Sequence, residues 1–247
     1  MATLLFYEEP VALNRQEHKN LRLKKQARLE FAKKVNSVPV AGFEFFEASR
    51  ELPVLFVKDS AGGLIPVALL SLNAEGNSLA ENWDSSVYMP AFIRRYPFAL
   101  TSEGTVIFDK QAAHLQEAEG ERLFNEETGE NSETLDGIAR FLHHVDQQYK
   151  ATNEFSKACM ERDLFEPFNV QVNIEDGKPV RLNSLFVISE KKLAELSDAD
   201  AALFFRNGWL AWAYAHLHSL SAIGRVARRD KNAAQGAAGS STESASE

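Results

Sequence analysis

Two nearly unbroken apolar runs, Pro53-Val54-Leu55-Phe56-Val57-Lys58 and Leu64 through Leu72, flank the turn sequence Asp59-Ser60-Ala61-Gly62-Gly63. Short apolar runs on either side of a Gly-containing turn predict an antiparallel hairpin. A strand with one wet face alternates apolar and polar side chains along its length. These two runs do not alternate, so both faces of the hairpin need apolar cover. Any fold for this chain must place packing layers on both sides of residues 53–72.

A second hairpin is predicted downstream. Phe168-Asn169-Val170-Gln171-Val172-Asn173-Ile174 alternates cleanly, as a strand with one buried face does, and Asp176-Gly177 is a type I′ turn pair returning the chain through Val180 to Ile188. A short strand, Thr105-Val106-Ile107-Phe108, follows the turn Thr101-Ser102-Glu103-Gly104. Helical spacing links Leu135, Ile138, Leu142, Val145, Tyr149 and Phe155 in a helix over 135–162. Ser197 with Asp200 three residues later is a capping-box variant for a helix ending near Asn207-Gly208. Trp209, Trp212, Ala213, His216, Leu217 and Leu220 then share one stripe of another helix. Gly42 to Leu52 reads as a short helix turning Phe43, Phe46 and Leu52 inward. Residues 14–34 admit either a helix capped by Asn14 or a short strand around Leu21-Arg22-Leu23. From Ala227 onward the composition drifts to Ala, Gly and Ser, with nothing large to bury, and disorder is expected. The fold class is therefore a single α+β domain over 1–226, an antiparallel or mixed sheet of hairpins packed by helices. Its C-terminal part is helical, and residues 227–247 form a disordered tail.

Composition bounds function. The 247 residues are 45% hydrophobic and 25% charged, with a net charge of −8. That is ordinary globular usage, and the acidic balance argues against nucleic acid as a partner. Cys159 is the lone cysteine, so no disulfide or cysteine-based metal cage forms within one chain, and no metal is expected. The common glycine-rich nucleotide loops, His-Glu-x-x-His and Gly-x-Ser-x-Gly are missing, and no cofactor is expected. The start, Met1 to Pro10, lacks the basic and apolar pattern of a secretory leader, and no stretch nears the ~20 apolar residues of a membrane span. A cytoplasmic location is expected, with envelope association only through a partner. Charge is uneven: residues 11–34 carry eight Lys/Arg against two Glu, and residues 117–136 carry eight acids against Arg122. The two regions either attract each other or face separate partners.

The richest segment for recognition runs from Trp83 to Leu100. Arginines flanked by aromatics offer fixed cationic forks beside stacking surfaces, suited to carboxylates, phosphates or planar groups. The candidate binding residues are Trp83, Asp84, Tyr88, Arg94, Arg95 and Tyr96, with His216 added from the C-terminal helix. Arg94 and Arg95 are adjacent, so at most one points into a given pocket. The alternative is an aromatic core segment whose arginines pair internally, with Asp84 by charge or Trp83 by stacking. His216, on an apolar stripe, reads either as a hydrogen-bonded core histidine or as a site residue. His143/His144 and His216/His218 diverge around their helices and cannot readily share an ion.

Read as Tyr-x-Pro-Ala-Phe-Ile-Arg-Arg-Tyr-Pro-Phe over residues 88–98, this segment resembles the SapC family. Supporting stretches are Val38-Pro39-Val40 through Glu44-Phe45 to Leu52–Val57, Ile65–Leu70, and Leu164-Phe165-Glu166-Pro167 through Val180-Arg181-Leu182 to Tyr214-Ala215-His216-Leu217. The resemblance spans roughly Leu13 to Val226 and departs in the acidic stretch Gln116–Asn131. The family takes its name from bacterial surface-layer proteins, and its members resemble small proteins encoded near outer-membrane receptors and halogenase-like flavoproteins. The resemblance implies a binding or accessory protein of an envelope, surface-layer or uptake pathway, with a protein partner or a small anionic or aromatic ligand. It supplies no catalytic mechanism. The rival reading is an enzyme, or enzyme partner, that modifies peptides or aromatic compounds.

Overall fold

The computed structural model describes residues 4–25, 29–74, 76–81, 83–172 and 179–243. Its strands are β1 (Pro10–Ala12), β2 (Arg22–Leu23), β3 (Ser37–Pro39), β4 (Val54–Lys58), β5 (Leu64–Leu69), β6 (Phe98–Leu100), β7 (Val106–Asp109), β8 (Leu115–Gln116), β9 (Glu121–Arg122), β10 (Phe165–Val172) and β11 (Val180–Ile188). Its helices are α1 (Phe45–Ala48), α2 (Ala91–Arg94), α3 (Glu133–Glu161), α4 (Glu190–Ala194), α5 (Asp198–Arg206), α6 (Trp209–Ser219) and α7 (Ile223–Glu243). The strands form three sheets, β10-β11-β4-β5-β3, β1-β7-β6 and β8-β2-β9, with every pairing antiparallel. This is the α+β architecture expected from the hairpin and helix patterns.

The apolar hairpin is covered on both faces, as its lack of alternation requires. β4 and β5 pair with Leu55 opposite Val67 and Val57 opposite Ile65. Val54, Phe56, Ala68 and Leu70 enter a large core with Phe45, Phe155 and Phe204. Leu55, Val67 and Leu69 face the other way, onto Leu182, Val187 and Val226. A fully buried Val, Leu or Phe is worth about 1.5–3 kcal/mol over exposure, so neither layer is dispensable. The turn closes on Asp59, whose Oδ1 accepts from the N–H groups of Ala61 and Gly63, both at 2.8 Å.

Beside this hairpin the sheet is completed by a side chain. Strand β11 pairs with β4 at Phe186 and Phe56. Two residues further along, the antiparallel register sets Ile188 opposite Val54, and there α6 wedges between the strands. The Nε2 of His216 accepts the Ile188 N–H at 3.0 Å, and Nδ1 lies 2.8 Å from the Val54 carbonyl. Because Nε2 accepts, the proton sits on Nδ1 and donates to Val54. The Val54 N–H is taken by Ser219 Oγ at 2.9 Å. The imidazole is fully buried, and burial pushes its pKa down to about 4 against the opposing pull of the Val54 carbonyl. His216 is thus a core histidine standing in for a ladder rung.

One local expectation changes, and two open readings are decided. Phe46 is 54% exposed, whereas Phe45, Ala48 and Leu52 are buried. The helical phase starts only after a 3-10 turn at Gly42–Glu44, so the inward stripe runs 45, 48, 52. Within residues 14–34 the strand reading holds: Asn14 closes a turn by accepting from Gln16 N–H at 2.8 Å, and β2 follows. β2 lies between β8 and β9, which brings the basic and acidic regions together. Lys24 meets Glu119 at 2.7 Å, and Arg22 donates to the Gly120 carbonyl at 3.0 Å. Gly120 has φ +107°, and a Cβ there would stand 2.5 Å from the Leu23 carbonyl oxygen, so only glycine allows this approach. The Asp176-Gly177 turn lies outside the described residues.

The C-terminal helices follow their caps. Ser197 Oγ accepts the Asp200 N–H at 3.2 Å to start α5, and Gly208, at φ +72°, separates α5 from α6. Composition changes at Ala227, but α7 runs on to Glu243, so the boundary drawn after Val226 falls inside a helix. Polar anchors do what apolar residues do not. Asp230 accepts the Leu72 N–H at 2.7 Å and the Ser71 hydroxyl at 3.1 Å, and Arg229 donates to the Leu70 carbonyl at 3.4 Å. Truncation after Val226 is expected to cost about 1–3 kcal/mol through loss of these charge-assisted bonds. Truncation after Ala233 should leave the melting temperature unchanged, and paired thermal melts check the difference.

His216 also sets a pH dependence. Its folded pKa lies below the 6.5 of an unfolded chain, so its contribution is complete above pH 6.5 and fades as pH falls toward 4. The loss across that window is on the order of 3 kcal/mol. In denaturant melts from pH 7 to 4.5, His216→Gln should be less stable at pH 7 and should lack this share of the slope. Equal slopes for both proteins would contradict it.

Candidate functional site

The aromatic–arginine segment folds as a loop, one helical turn and a strand. Ala91–Arg94 form α2, Pro97 follows, and β6 begins at Phe98. Successive residues on a helix diverge by about 100°, so the two arginines separate. Arg94 points to solvent and Arg95 is buried at 9% exposure.

Arg94 is held on a framed platform. Its Nε donates to the Met89 carbonyl and its Nη2 to the Tyr88 hydroxyl, each at 3.1 Å. The guanidinium lies 5.3 Å from the Phe141 ring centre and 5.7 Å from that of Tyr88. Tyr88 donates onward to Glu44 Oε1 at 3.0 Å. Glu44 is almost wholly buried and also accepts from Ala91 N–H at 2.6 Å and Ala41 N–H at 2.9 Å. Burial raises the Glu44 pKa, while those three donors and the Arg94 charge oppose the rise. The Tyr88 hydroxyl is pushed up to about 12, first by burial and then by the Glu44 charge, so it remains a donor. Phe43, beside Glu44, packs edge-on against His144 at 5.5 Å, one helical turn from Phe141. The result is a cation with two of its edges fixed and the rings of Tyr88 and Phe141 beside it. The Nη1 edge remains for an anionic group, and the rings suit a planar or apolar neighbour.

Arg95 and Tyr96 belong to a second, inner cluster. Arg95 stacks over Phe92 at 4.1 Å and lies within hydrogen-bonding reach of the Tyr7 hydroxyl. Tyr96 stacks on Phe31 at 3.9 Å and donates to Asp109 Oδ2 at 2.8 Å. Asp109 is fully buried, which alone would raise its pKa. Bonds from the Glu9, Glu8 and Gln111 N–H groups and from Tyr96 outweigh that effect and leave it below the usual carboxylate range. Burial pushes the Tyr7 hydroxyl up to about 12.

The seven residues singled out from sequence therefore do not form one constellation. Tyr88 and Arg94 share the outer platform, and Arg95 and Tyr96 share the inner cluster. Trp83 donates from Nε1 to the Val87 carbonyl at 2.9 Å, and Asp84 accepts the Ser86 N–H at 2.8 Å. The carboxylate facing Arg94 is Glu44 rather than Asp84, whose charge interacts with Arg229 on α7. His216 has both ring nitrogens committed to backbone. Glu44 and Phe141 escaped sequence reasoning, although an acid set among Phe43, Phe45 and Phe46 is itself a burial signal. Open clefts lie elsewhere: about 370 Å³ lined by Arg162, Lys192 and Asp200, and about 600 Å³ lined by Arg122, Asn125 and Asn131. Their charges pair locally, Arg162 with Asp200 at 2.7 Å and Arg122 with Glu126 at 2.8 Å. Among the described residues, no cluster of His, Cys, Asp or Glu could hold a metal ion, and no helix is long and apolar enough to cross a membrane.

An α+β protein with an exposed, framed arginine is the class this geometry defines. The model of the SapC family matches residues 13–226, most of the chain, and the protein belongs to that family. No curated protein and no solved structure matches it.

Glu44→Ala should cost about 2–4 kcal/mol in denaturant melts, since it strands two buried backbone N–H groups and Tyr88. Glu44→Gln keeps one acceptor oxygen and should cost less. Equal, small losses for both would mean that Glu44 does not hold the platform.

Proposed function

We propose that the protein is a non-catalytic binding or accessory protein of a bacterial envelope, surface-layer or uptake pathway, and that the Arg94 platform is its recognition surface. SapC family membership is what supports the pathway. The surface follows from one observation: an exposed guanidinium held by Met89 and Tyr88, lying against Phe141 and backed by buried Glu44. An unused arginine normally moves freely in solvent, because side-chain entropy and screening leave an exposed pair worth only about 0–1 kcal/mol. A preoriented fork lowers the ordering cost of meeting a carboxylate or phosphate. The rings on either side suit an aromatic or apolar side chain of a protein partner. The protein acts on the inner side of the envelope and reaches it through that partner.

Arg94→Ala and Arg94→Lys test the assignment. Both variants should stay within about 1 kcal/mol of wild-type stability, since the side chain is exposed. Both should lose the partner in crosslinked purifications from the native bacterium, because lysine keeps the charge but not the planar fork. Full recovery of the same partner by both variants would remove the platform from the function, and a partner unconnected with the envelope would remove the pathway.

A further inference from the structure

We propose that the groove beneath residues 4–12 is a binding groove for an extended segment of a partner protein carrying two adjacent aromatic residues, and that the chain's own N-terminal strap occupies it in the partner's place. The strap is held in a way that another segment can copy. Phe6 fills a nest of Phe31, Phe92 and Tyr96, with ring centres at 5.1, 5.2 and 6.3 Å. Tyr7 lies against Tyr96 at 5.4 Å, donates to the Phe98 carbonyl at 2.7 Å, and reaches Arg95. Beyond these two side chains the contacts are mainly to backbone. Asp109 accepts the N–H groups of Glu8 at 3.2 Å and Glu9 at 2.9 Å, Lys110 N–H donates to the Glu9 carbonyl at 3.0 Å, and β1 adds to the edge of β7.

This is strand addition with two side-chain sockets: backbone bonds supply affinity for any extended chain, and the sockets select the aromatic pair. Glu9 adds one polar preference, through Lys110 at 3.4 Å and Gln111 at 2.8 Å. The extent of the family match sets the strap apart from the groove. All the groove residues lie within the 13–226 family match, and residues 4–12 lie outside it. Displacing the strap also uncovers Arg95, the second arginine of the pair.

The full-length chain carrying Phe6→Ala and Tyr7→Ala together tests the groove, with a fluorescent, end-blocked peptide of residues 4–13 as probe. The folded variant should bind the peptide saturably. Wild type should bind at least about tenfold more weakly, because a tethered strap competes at millimolar effective concentration. A peptide with both aromatics replaced by alanine should bind neither protein. A folded variant that ignores the peptide would overturn the groove. If the variant does not fold, amide exchange on wild type decides. Strap amides at Glu8, Glu9, Val11 and Leu13 exchanging at least about tenfold sooner than Phe98 and Asp109, whose N–H groups donate to the Arg95 and Pro97 carbonyls, would support a detachable strap, since local opening precedes global unfolding. Equal protection would make the strap a fixed part of the core. A wild-type dimer whose formation the peptide blocks would replace the proposed partner with a second copy of the chain.

Discussion

The largest sheet depends on an imidazole inserted where two strands part. Val54 and Ile188 stand in register across β4 and β11, yet α6 comes between them, and His216 carries the hydrogen bonding from one backbone to the other. With Ser219 taking the Val54 N–H, three backbone groups that a continuous ladder would satisfy are met by one helix. An apolar residue at 216 would leave two of them buried and unpaired, each costing about 1–3 kcal/mol. That arrangement locks α6 to the β4–β5 hairpin and the β10–β11 hairpin together. It also explains why a histidine can sit on an apolar stripe: desolvation keeps it neutral, and a neutral imidazole offers one donor and one acceptor.

Two buried carboxylates organise the region around α2. Burial dominates at Glu44, which accepts from two backbone N–H groups and Tyr88, and its pKa rises. Asp109 gathers three backbone N–H groups and Tyr96, enough to overcome burial, and its pKa falls. Glu44 ties the loop before α1 to the start of α2, and Asp109 ties the N-terminal strap to the β6–β7 hairpin. The arginine pair lies on the short helix between these two posts. One turn of α2 sends Arg94 outward over Phe141 and Arg95 inward over Phe92. Neighbouring residues of the same type thus lie one on the surface and one in a buried aromatic cluster.

Much of the scaffold was legible. The unbroken apolarity of β4 and β5 announced a doubly covered hairpin, and the alternation in Phe168–Val172 announced its neighbour. Ser197 and the spacing from Leu135 to Phe155 marked helices that the structure contains. Local pattern failed where local geometry depends on distant contact. Phe46 and Phe45 exchange places because a 3-10 turn shifts the helical phase by one residue. The helix beyond Val226 was invisible because its anchor is polar: Asp230 reaches back to Ser71 and Leu72 across more than 150 positions of sequence.

The site shows the same division. Sequence by itself determined that Tyr88, Arg94, Arg95 and Tyr96 lie in one short segment, that the two arginines must diverge, and that the chain resembles the SapC family. Periodicity and composition act over a few residues, and that is the reach of such statements. Only the tertiary structure decided which arginine is exposed, that Glu44 rather than Asp84 faces it, and that Phe141 supplies its platform. It also decided that Trp83, Asp84 and His216 belong elsewhere. The bonds of Glu44 to Tyr88 and Ala91 and of His216 to Val54 span 44, 47 and 162 positions of sequence. Burial and hydrogen-bond satisfaction select such pairings once the chain has closed on itself, and no local pattern encodes them.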